Sequence, residues 1–360
     1  MAAVQEGGDR VQAYVFPSQG PDVVCSEVDQ VPLGADMVEV AITTVSLCHT
    51  DLSIGINDWG VSQYPACPGH ENVGIVSKVG NAVRRVKVGD RVAVGWLRHS
   101  CNNCRKCNEG DESLCYEMGP VGTGLIFTGP GGFASHVRVQ ERYAFAVPEA
   151  LKSTEIAALL CAGITVYRPL RKYVTHPGAR VGVVGVGGLG HLALKFGAKM
   201  GFCMVAMSRG TAKEKQALEC GASEYVDSTD TEALNALKGS IDVLLYTASG
   251  GSTETYFPLM RNGGTIVQLG APASSEKSQT EVPLMQLIFG GISYTGSAVG
   301  GSLLTNEMLN FAASHGISAE GSVHPITELP QRVKQLAESP KTCPFRFVFT
   351  TDAWDSERNW

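Results

Sequence analysis

The sequence predicts an α/β protein in two parts: a β-rich domain and a doubly wound parallel sheet. Three observations carry this. The 360 residues exceed what one domain of roughly 150 residues holds. Up to about Val147 the chain reads as short apolar runs broken by turns. After Pro148 strand and helix patterns alternate, which is the signature of a parallel sheet with crossover helices. The third observation is Gly185-Val-Gly187-Gly188-Leu189-Gly190, a Gly-x-Gly-x-x-Gly run set between an apolar strand pattern and an apolar helix pattern.

In the first part, 37–45, 74–79, 91–94 and 134–139 read as strands, and Val88-Gly-Asp-Arg-Val92 reads as a turn feeding one of them. Beyond Pro148, 153–160 reads as a helix, with Ser153 or Thr154 ahead of Glu155 as its capping pattern. Buried strands are expected at 181–185, 202–207, 241–246 and 265–269, and helices at 188–200 and 213–219. From about Ala298 the pattern returns to a helix at 306–315 and a closing strand at 345–350. The expected segments are 1–162, 163–297 and 298–360.

Composition narrows the function. Apolar residues make up 44% and charged residues 18%, as in an ordinary globular protein. A formal net charge of -6 with no basic block argues against a nucleic-acid partner. The segment from Met1 to Arg10 lacks an apolar core and a basic flank, so it does not read as a secretory signal. Every apolar run is broken well short of the roughly 18 residues a membrane helix needs. A cytoplasmic location without membrane association is therefore expected. In that reducing compartment the eleven cysteines should be thiols or metal ligands.

In the glycine run, Gly185 permits the tight turn, Gly187 lets backbone approach a pyrophosphate, and Gly190 lets helix pack on strand. The helix N-terminus that follows offers free N–H groups to phosphates. This reads as a dinucleotide site. The second strand of such a unit commonly ends in a carboxylate for a ribose 2′-hydroxyl. Here it ends Met207-Ser208-Arg209-Gly210, with Lys213 close behind. Ser208, Arg209 and Lys213 suit a 2′-phosphate, so NADP(H) is expected; the alternative is a solvated basic surface.

Cys101-x-x-Cys104-x-x-Cys107-x7-Cys115 offers four thiolates on one polar loop, enough to close a tetrahedron round Zn²⁺. A closed set leaves no open position, so its role would be structural. Four cysteines can also hold an iron–sulfur cluster, though nothing else here points to electron transfer. A second set is dispersed: Cys48, His70 in Pro68-Gly-His-Glu71, and Cys161. Two thiolates and an imidazole leave a fourth position for water or substrate. His49 competes with His70 for the imidazole role.

Together these stretches, with Phe345-Arg-Phe-Val348, resemble the zinc-containing medium-chain dehydrogenase/reductase family, on its cinnamyl-alcohol-dehydrogenase-like aldehyde reductase branch. The resemblance spans about 11 to 350. It implies a GroES-like β-rich catalytic domain built from both ends of the chain, a Rossmann domain inserted between them, an active site in the cleft, two zinc ions per chain and a homodimer. It also implies that Thr50 binds the substrate oxygen and starts a proton relay. Asp51 orients the ligand histidine, Glu71 can approach the zinc, and Arg346 lies near Glu71 and the cofactor phosphates. Two positions depart from the family pattern. Ser53 stands where many relatives place the histidine that ends the relay, which leaves Ser53, His49 or bulk water as the final proton donor. Ala298 stands at an aromatic pocket position. Trp59, Trp96 and Leu97 either line an apolar pocket in its place or pack the core.

The expected reaction is hydride transfer between NADP(H) and an aldehyde/primary alcohol pair, mainly as aldehyde reduction because cellular NADPH favours it. Two rivals stand beside it. One is a specialised reductase of an iminium or α,β-unsaturated substrate. The other is a non-catalytic NADPH-binding structural or sensor protein, which would have no need of an open zinc position.

Overall fold

A computed structural model describes residues 9–272, 281–340 and 343–352. The chain opens with an antiparallel pair, β1 (Arg10–Val15) and β2 (Val24–Asp29). β3 (Met37–Leu47) follows as the longest strand of the first unit, and its last four residues, Thr44 to Leu47, are all buried. β4 (Asn72–Val79), β5 (Arg91–Val94), β6 (His136–Gln140) and β7 (Phe145–Ala146) complete this stretch. A second sheet is then built from β8 (Arg180–Val184), β9 (Cys203–Ser208), β10 (Glu224–Asp227), β11 (Ile241–Tyr246), β12 (Met260–Gln268) and β13 (Ser293–Gly296). Finally β14 (Ser322–Pro325) and β15 (Phe347–Thr350) return to the first sheet, which runs β14-β15-β3-β4-β5-β7 with β6 also on β3.

Both ends of the chain therefore meet in one sheet, where β15 lies antiparallel to β3 with Phe347 opposite Leu47. Two compact units result. The first runs up to Cys161 and includes Gly300–Ala313 and everything from Ser318 on; the second holds Ala162–Val299 and Ser314–Ile317.

The second unit's sheet is parallel throughout, in the order β10-β9-β8-β11-β12-β13. Numbered from its own first strand this is 3-2-1-4-5-6, the order of doubly wound dinucleotide-binding sheets. Its strands are apolar runs because helices and loops cover both faces. Val181 and Val183, Val205 and Met207, and Leu244 and Leu245 are almost wholly buried. The helix Gly190–Lys199 packs on the helix Ala162–Tyr173 through an edge-to-face contact of Tyr167 and Phe196, ring centroids 5.3 Å apart.

Several boundaries differ from the sequence expectation. The helix at Ser153–Ile156 is short and passes into a 3₁₀ turn at Ala157–Leu160. Its N-cap is the extended residue Lys152, without a side-chain cap, because Ser153 and Thr154 already lie inside the helix. The strand expected at 265–269 starts five residues earlier, at Met260. The helix expected at 306–315 begins at Ser302, held by the buried carboxylate of Glu112, which accepts from the Ser302 N–H (2.7 Å) and Oγ (2.6 Å).

Candidate active site and cofactor turn

The first cluster grows from the end of β3. Cys48 caps the helix His49–Gly55, and its N–H donates to Asp51 Oδ2 on the first turn (2.9 Å). The other oxygen of Asp51 accepts from Gly69 N (2.9 Å) and lies 2.8 Å from His70 Nδ1. Gly69 sits at φ +99, and a Cβ there would come within 2.5 Å of the Phe133 nitrogen, so only glycine lets this turn close. A carboxylate oxygen accepts, so the His70 nitrogen facing Asp51 is the one that carries a proton, and Nε2 is the nitrogen turned inward. That Nε2 is buried and has no hydrogen-bond partner.

Around it stand Cys48, Glu71 and Cys161, with one ligand atom from each of the four residues lying within 4.8 Å of the others. Cys48, His70 and Glu71 are buried, while Cys161 is partly accessible. A bond from Cys161 draws the Cys48 thiol well below its ordinary range, against burial and with help from Arg346. Burial pushes the Glu71 carboxyl up to about 7 despite Arg346, whose Nη2 lies 3.3 Å from Oε1. Ser46 Oγ donates to the other oxygen of Glu71, and Arg346 Nη2 also reaches Cys48 Sγ at 3.8 Å. Two sulfurs and an unpartnered imidazole nitrogen facing one point form the donor set of a borderline-soft cation with a position to spare.

Thr50 is half-buried on the first turn of the same helix, whereas His49 is exposed. Ser53 is buried and its Oγ donates to Asp58 Oδ2 (2.9 Å), a residue that sequence reasoning did not single out. Trp96 stands edge-on to His70 at 5.4 Å, and Phe127, also unforeseen, stands edge-on to Trp96 at 5.7 Å. Leu97 is buried and bridges through backbone to Gly124. Trp59 is half-buried in the turn after the helix. Ala298 belongs to the second unit, where its carbonyl accepts from Arg168 (3.0 Å).

Cys101, Cys104, Cys107 and Cys115 form a second cluster, again within 4.8 Å. Sulfurs bound to one ion at roughly 2.3 Å in a tetrahedron lie about 3.8 Å apart. Cys104 and Cys101 stand 3.6 and 3.7 Å from Cys107, as a single ion requires. The N–H groups of Cys104 and Tyr116 point at the Cys101 and Cys104 sulfurs. Backbone donors, first that of Cys107, bring the Cys104 thiol down to about 6.

In the second unit, Gly185 has φ +91, and a Cβ on Gly190 would lie 1.9 Å from the Gly185 oxygen. A Cβ on Gly187 would meet open space, as a surface approached by a ligand requires. Leu189 caps the helix Gly190–Lys199 without a side-chain bond, and the His191 N–H of its first turn donates to the Gly187 carbonyl (3.0 Å). Lys213 Nζ donates to the Val186 carbonyl (2.6 Å), so a cation lies across this turn. At the tip of β9 Ser208 is half-buried and Arg209 exposed.

Two family models match the chain, the alcohol dehydrogenase GroES-like domain over residues 34–149 and the zinc-binding dehydrogenase domain over 188–314. The chain is 35% identical over 348 residues to an NADP-dependent alcohol dehydrogenase C of Mycolicibacterium smegmatis, covering 95% of this chain and 97% of that one. It is 37% identical over 323 residues to a probable cinnamyl alcohol dehydrogenase of Arabidopsis thaliana, covering 88% of each. Among solved structures, a cinnamyl alcohol dehydrogenase from Sorghum bicolor superposes with a TM-score of 0.87 at 32% identity, covering 95% of this chain and 98% of that one. A Helicobacter pylori relative solved with NADP(H) gives 0.85 at 28% identity, with the same coverage. With the closed thiolate cluster, the open Cys-His-Cys cluster and the glycine turn all in place, the chain belongs to the zinc-containing medium-chain dehydrogenase/reductase family, on its cinnamyl-alcohol-dehydrogenase-like branch.

Proposed function

We propose that this protein is a zinc-dependent oxidoreductase moving a hydride between NADP(H) and an aldehyde/primary alcohol pair, mainly as an aldehyde reductase. The observation that carries this is the unpartnered Nε2 of His70 facing two thiols in a buried pocket. Cys48, His70 and Cys161 would hold a catalytic zinc, with Glu71 within reach. Cys101, Cys104, Cys107 and Cys115 would hold a structural one. The turn from Gly185 through Gly187, Gly188 and Leu189 to Gly190 would take the pyrophosphate, and Ser208, Arg209 and Lys213 the 2′-phosphate. When bound, zinc supplies Lewis-acid polarisation of a carbonyl and the reduced nicotinamide supplies the hydride.

The chain's own residues do the rest. Asp51 fixes the His70 tautomer and so keeps Nε2 bare. Arg346 balances the negative charge of Cys48 and Glu71 in a buried site; its commitment there supports a role in the metal site more than one on cofactor phosphates. Thr50 holds the proton to be delivered. Ser53, bonded to the partly exposed Asp58, offers the outward end of the path that a histidine provides in many relatives. Trp96 and Phe127 form an apolar wall that excludes water and favours an uncharged organic aldehyde.

The exposed apolar residues Leu284, Met285, Ile288 and Phe289, which lie just before the edge strand β13, support a homodimer formed through that edge. No described helix is long and apolar enough to cross a membrane, and a chain with eleven cysteines, several placed as metal ligands, suits the reducing cytoplasm.

The test is NADPH oxidation against a panel of aldehydes, with alcohols and NADP⁺ run in reverse. Turnover of simple aldehydes is expected. Turnover only of iminium or conjugated substrates would replace this reading with the specialised reductase. Cofactor binding without turnover of any class would favour a sensor.

A further inference from the structure

The tip of β9 is held from the neighbouring strand. β10 runs parallel to β9 with Asp227 opposite Ser208. Asp227 Oδ1 accepts from the Gly210 N–H at 2.8 Å, and from the N–H and Oγ1 of Thr229 at 2.9 and 2.8 Å. On the other side of the same turn the Tyr225 hydroxyl donates to the Gly210 carbonyl at 2.6 Å. The Ser228 N–H donates to the Ser208 carbonyl at 3.0 Å. Gly210 itself is left-handed, at φ +66, a conformation that needs such outside bonds to be the single one adopted.

The backbone is thus tied down on both sides of Arg209, while the Arg209 side chain stays exposed. We propose that Asp227 is a positioning residue for cofactor choice: by holding the Gly210 peptide it presets the turn from which Arg209 meets a 2′-phosphate. This rests on the reading of Arg209 as the 2′-phosphate ligand. A turn already ordered before binding avoids the conformational cost that a loose one must meet, and a guanidinium bonds a phosphate well only in a narrow range of orientations. The benefit goes to NADPH alone, because NADH has no 2′-phosphate for Arg209 to meet. A carboxylate one strand away is compatible with an anionic ligand because its Oδ1 is committed to three donors of the protein. The Thr229 N–H and hydroxyl and the Gly210 N–H also hold Asp227 below the usual carboxylate range, so it is ionised and a full-strength acceptor.

The experiment measures Kd for NADPH and for NADH by fluorescence titration, with melting curves, on the zinc-loaded wild type and on D227A, D227N and Y225F. D227A is expected to weaken NADPH about tenfold, the worth of roughly one to two hydrogen bonds, with NADH changed less than about twofold. D227N can accept the same bonds through its amide oxygen and should keep the wild-type preference. Y225F removes one tie from Gly210 and should cost NADPH about threefold. A D227A protein that keeps the wild-type NADPH/NADH ratio overturns the proposal, whatever its melting temperature. D227N losing as much as D227A would likewise assign the effect to charge and overturn it. A wild type that binds both cofactors equally would instead remove the Arg209 reading, and this inference with it.

Discussion

At the scale of single residues, the proposed metal binding and cofactor choice can each be tested at one side chain. Asp51 receives three donors on two oxygens: Cys48 N, Gly69 N and His70 Nδ1. Asp51→Asn sets an amide N–H against one of them, and the easiest relief is for the proton of His70 to move to Nε2, which removes the lone pair a metal needs. Zinc affinity at this site should fall about 10- to 100-fold, read by competition with a chromogenic chelator; unchanged affinity would rule out this role for Asp51. On the proposed reading, Arg209 acts on the cofactor. A charge-assisted bond is typically worth about 1.5–3 kcal/mol, or roughly ten- to a hundredfold. Arg209→Ala should therefore erase most of the preference for NADPH in kcat/KM and leave NADH nearly unchanged, and Ser208→Asp should go further and repel NADPH. If Arg209→Ala leaves the ratio alone, Arg209 is a surface residue. The ligating residue types were legible because their chemistry is restrictive: few arrangements other than a metal call for Cys-x-x-Cys-x-x-Cys, and few other than a dinucleotide call for Gly-x-Gly-x-x-Gly after an apolar strand. Asp58, Phe127 and Asp227 were not legible. An aspartate that meets a serine five residues back, or a glycine seventeen residues away, has no sequence signature before the chain is folded.

At the scale of elements, the strands of the parallel sheet could be read because burial on both faces demands continuous apolar runs, and β11 was placed at its observed ends. The start of β12 was missed for the same reason: Arg261, Asn262 and Gly263 within it are exposed, so its first half lacks the apolar signal. The start of the helix Ser302–His315 is set by Glu112, 190 residues away in sequence, which no local capping rule can find. That contact ties the helix to the four-cysteine loop, since Glu112 lies between Cys107 and Cys115 and also pairs with Arg142 at 3.3 Å. Metal binding in a closed thiolate site is coupled to folding. Cys107→Ser, which removes a buried ligand, should lower Tm on the order of 10 °C and loosen the N-terminus of that helix. Hydrogen exchange at Ser302 and its neighbours would report it. Cys343→Ser, outside both clusters, is the control and should leave Tm within about 2 °C. Equal Tm values for the two variants would mean that the four-cysteine loop contributes no stability.

At the scale of the whole molecule, chemistry is divided by unit. All eight candidate metal ligands, Cys48, His70, Glu71, Cys161 and the four loop cysteines, belong to the first unit, and the glycine turn with Ser208, Arg209 and Lys213 belongs to the second. The two clusters also differ in accessibility. In the open cluster Cys48, His70 and Glu71 are buried, whereas in the four-cysteine loop Cys101 and Cys104 are partly exposed. Elemental analysis should find two zinc ions per chain. Gentle chelation should remove them in two kinetic phases, since an ion held by four thiolates leaves more slowly than one held by three protein ligands and an exchangeable position. Loss of the first ion should abolish turnover with little change in Tm. Loss of the second should bring the fall in Tm. Throughout the first phase NADPH should still bind, because the groups assigned to its phosphates lie on a sheet that contributes no metal ligand. The decisive measurement is NADPH fluorescence titration on protein stripped of one zinc: a Kd within about threefold of the loaded enzyme is expected, a change below 1 kcal/mol. Loss of NADPH binding from that folded, one-zinc protein would show that metal and cofactor sites are energetically one, and the division by unit would fail.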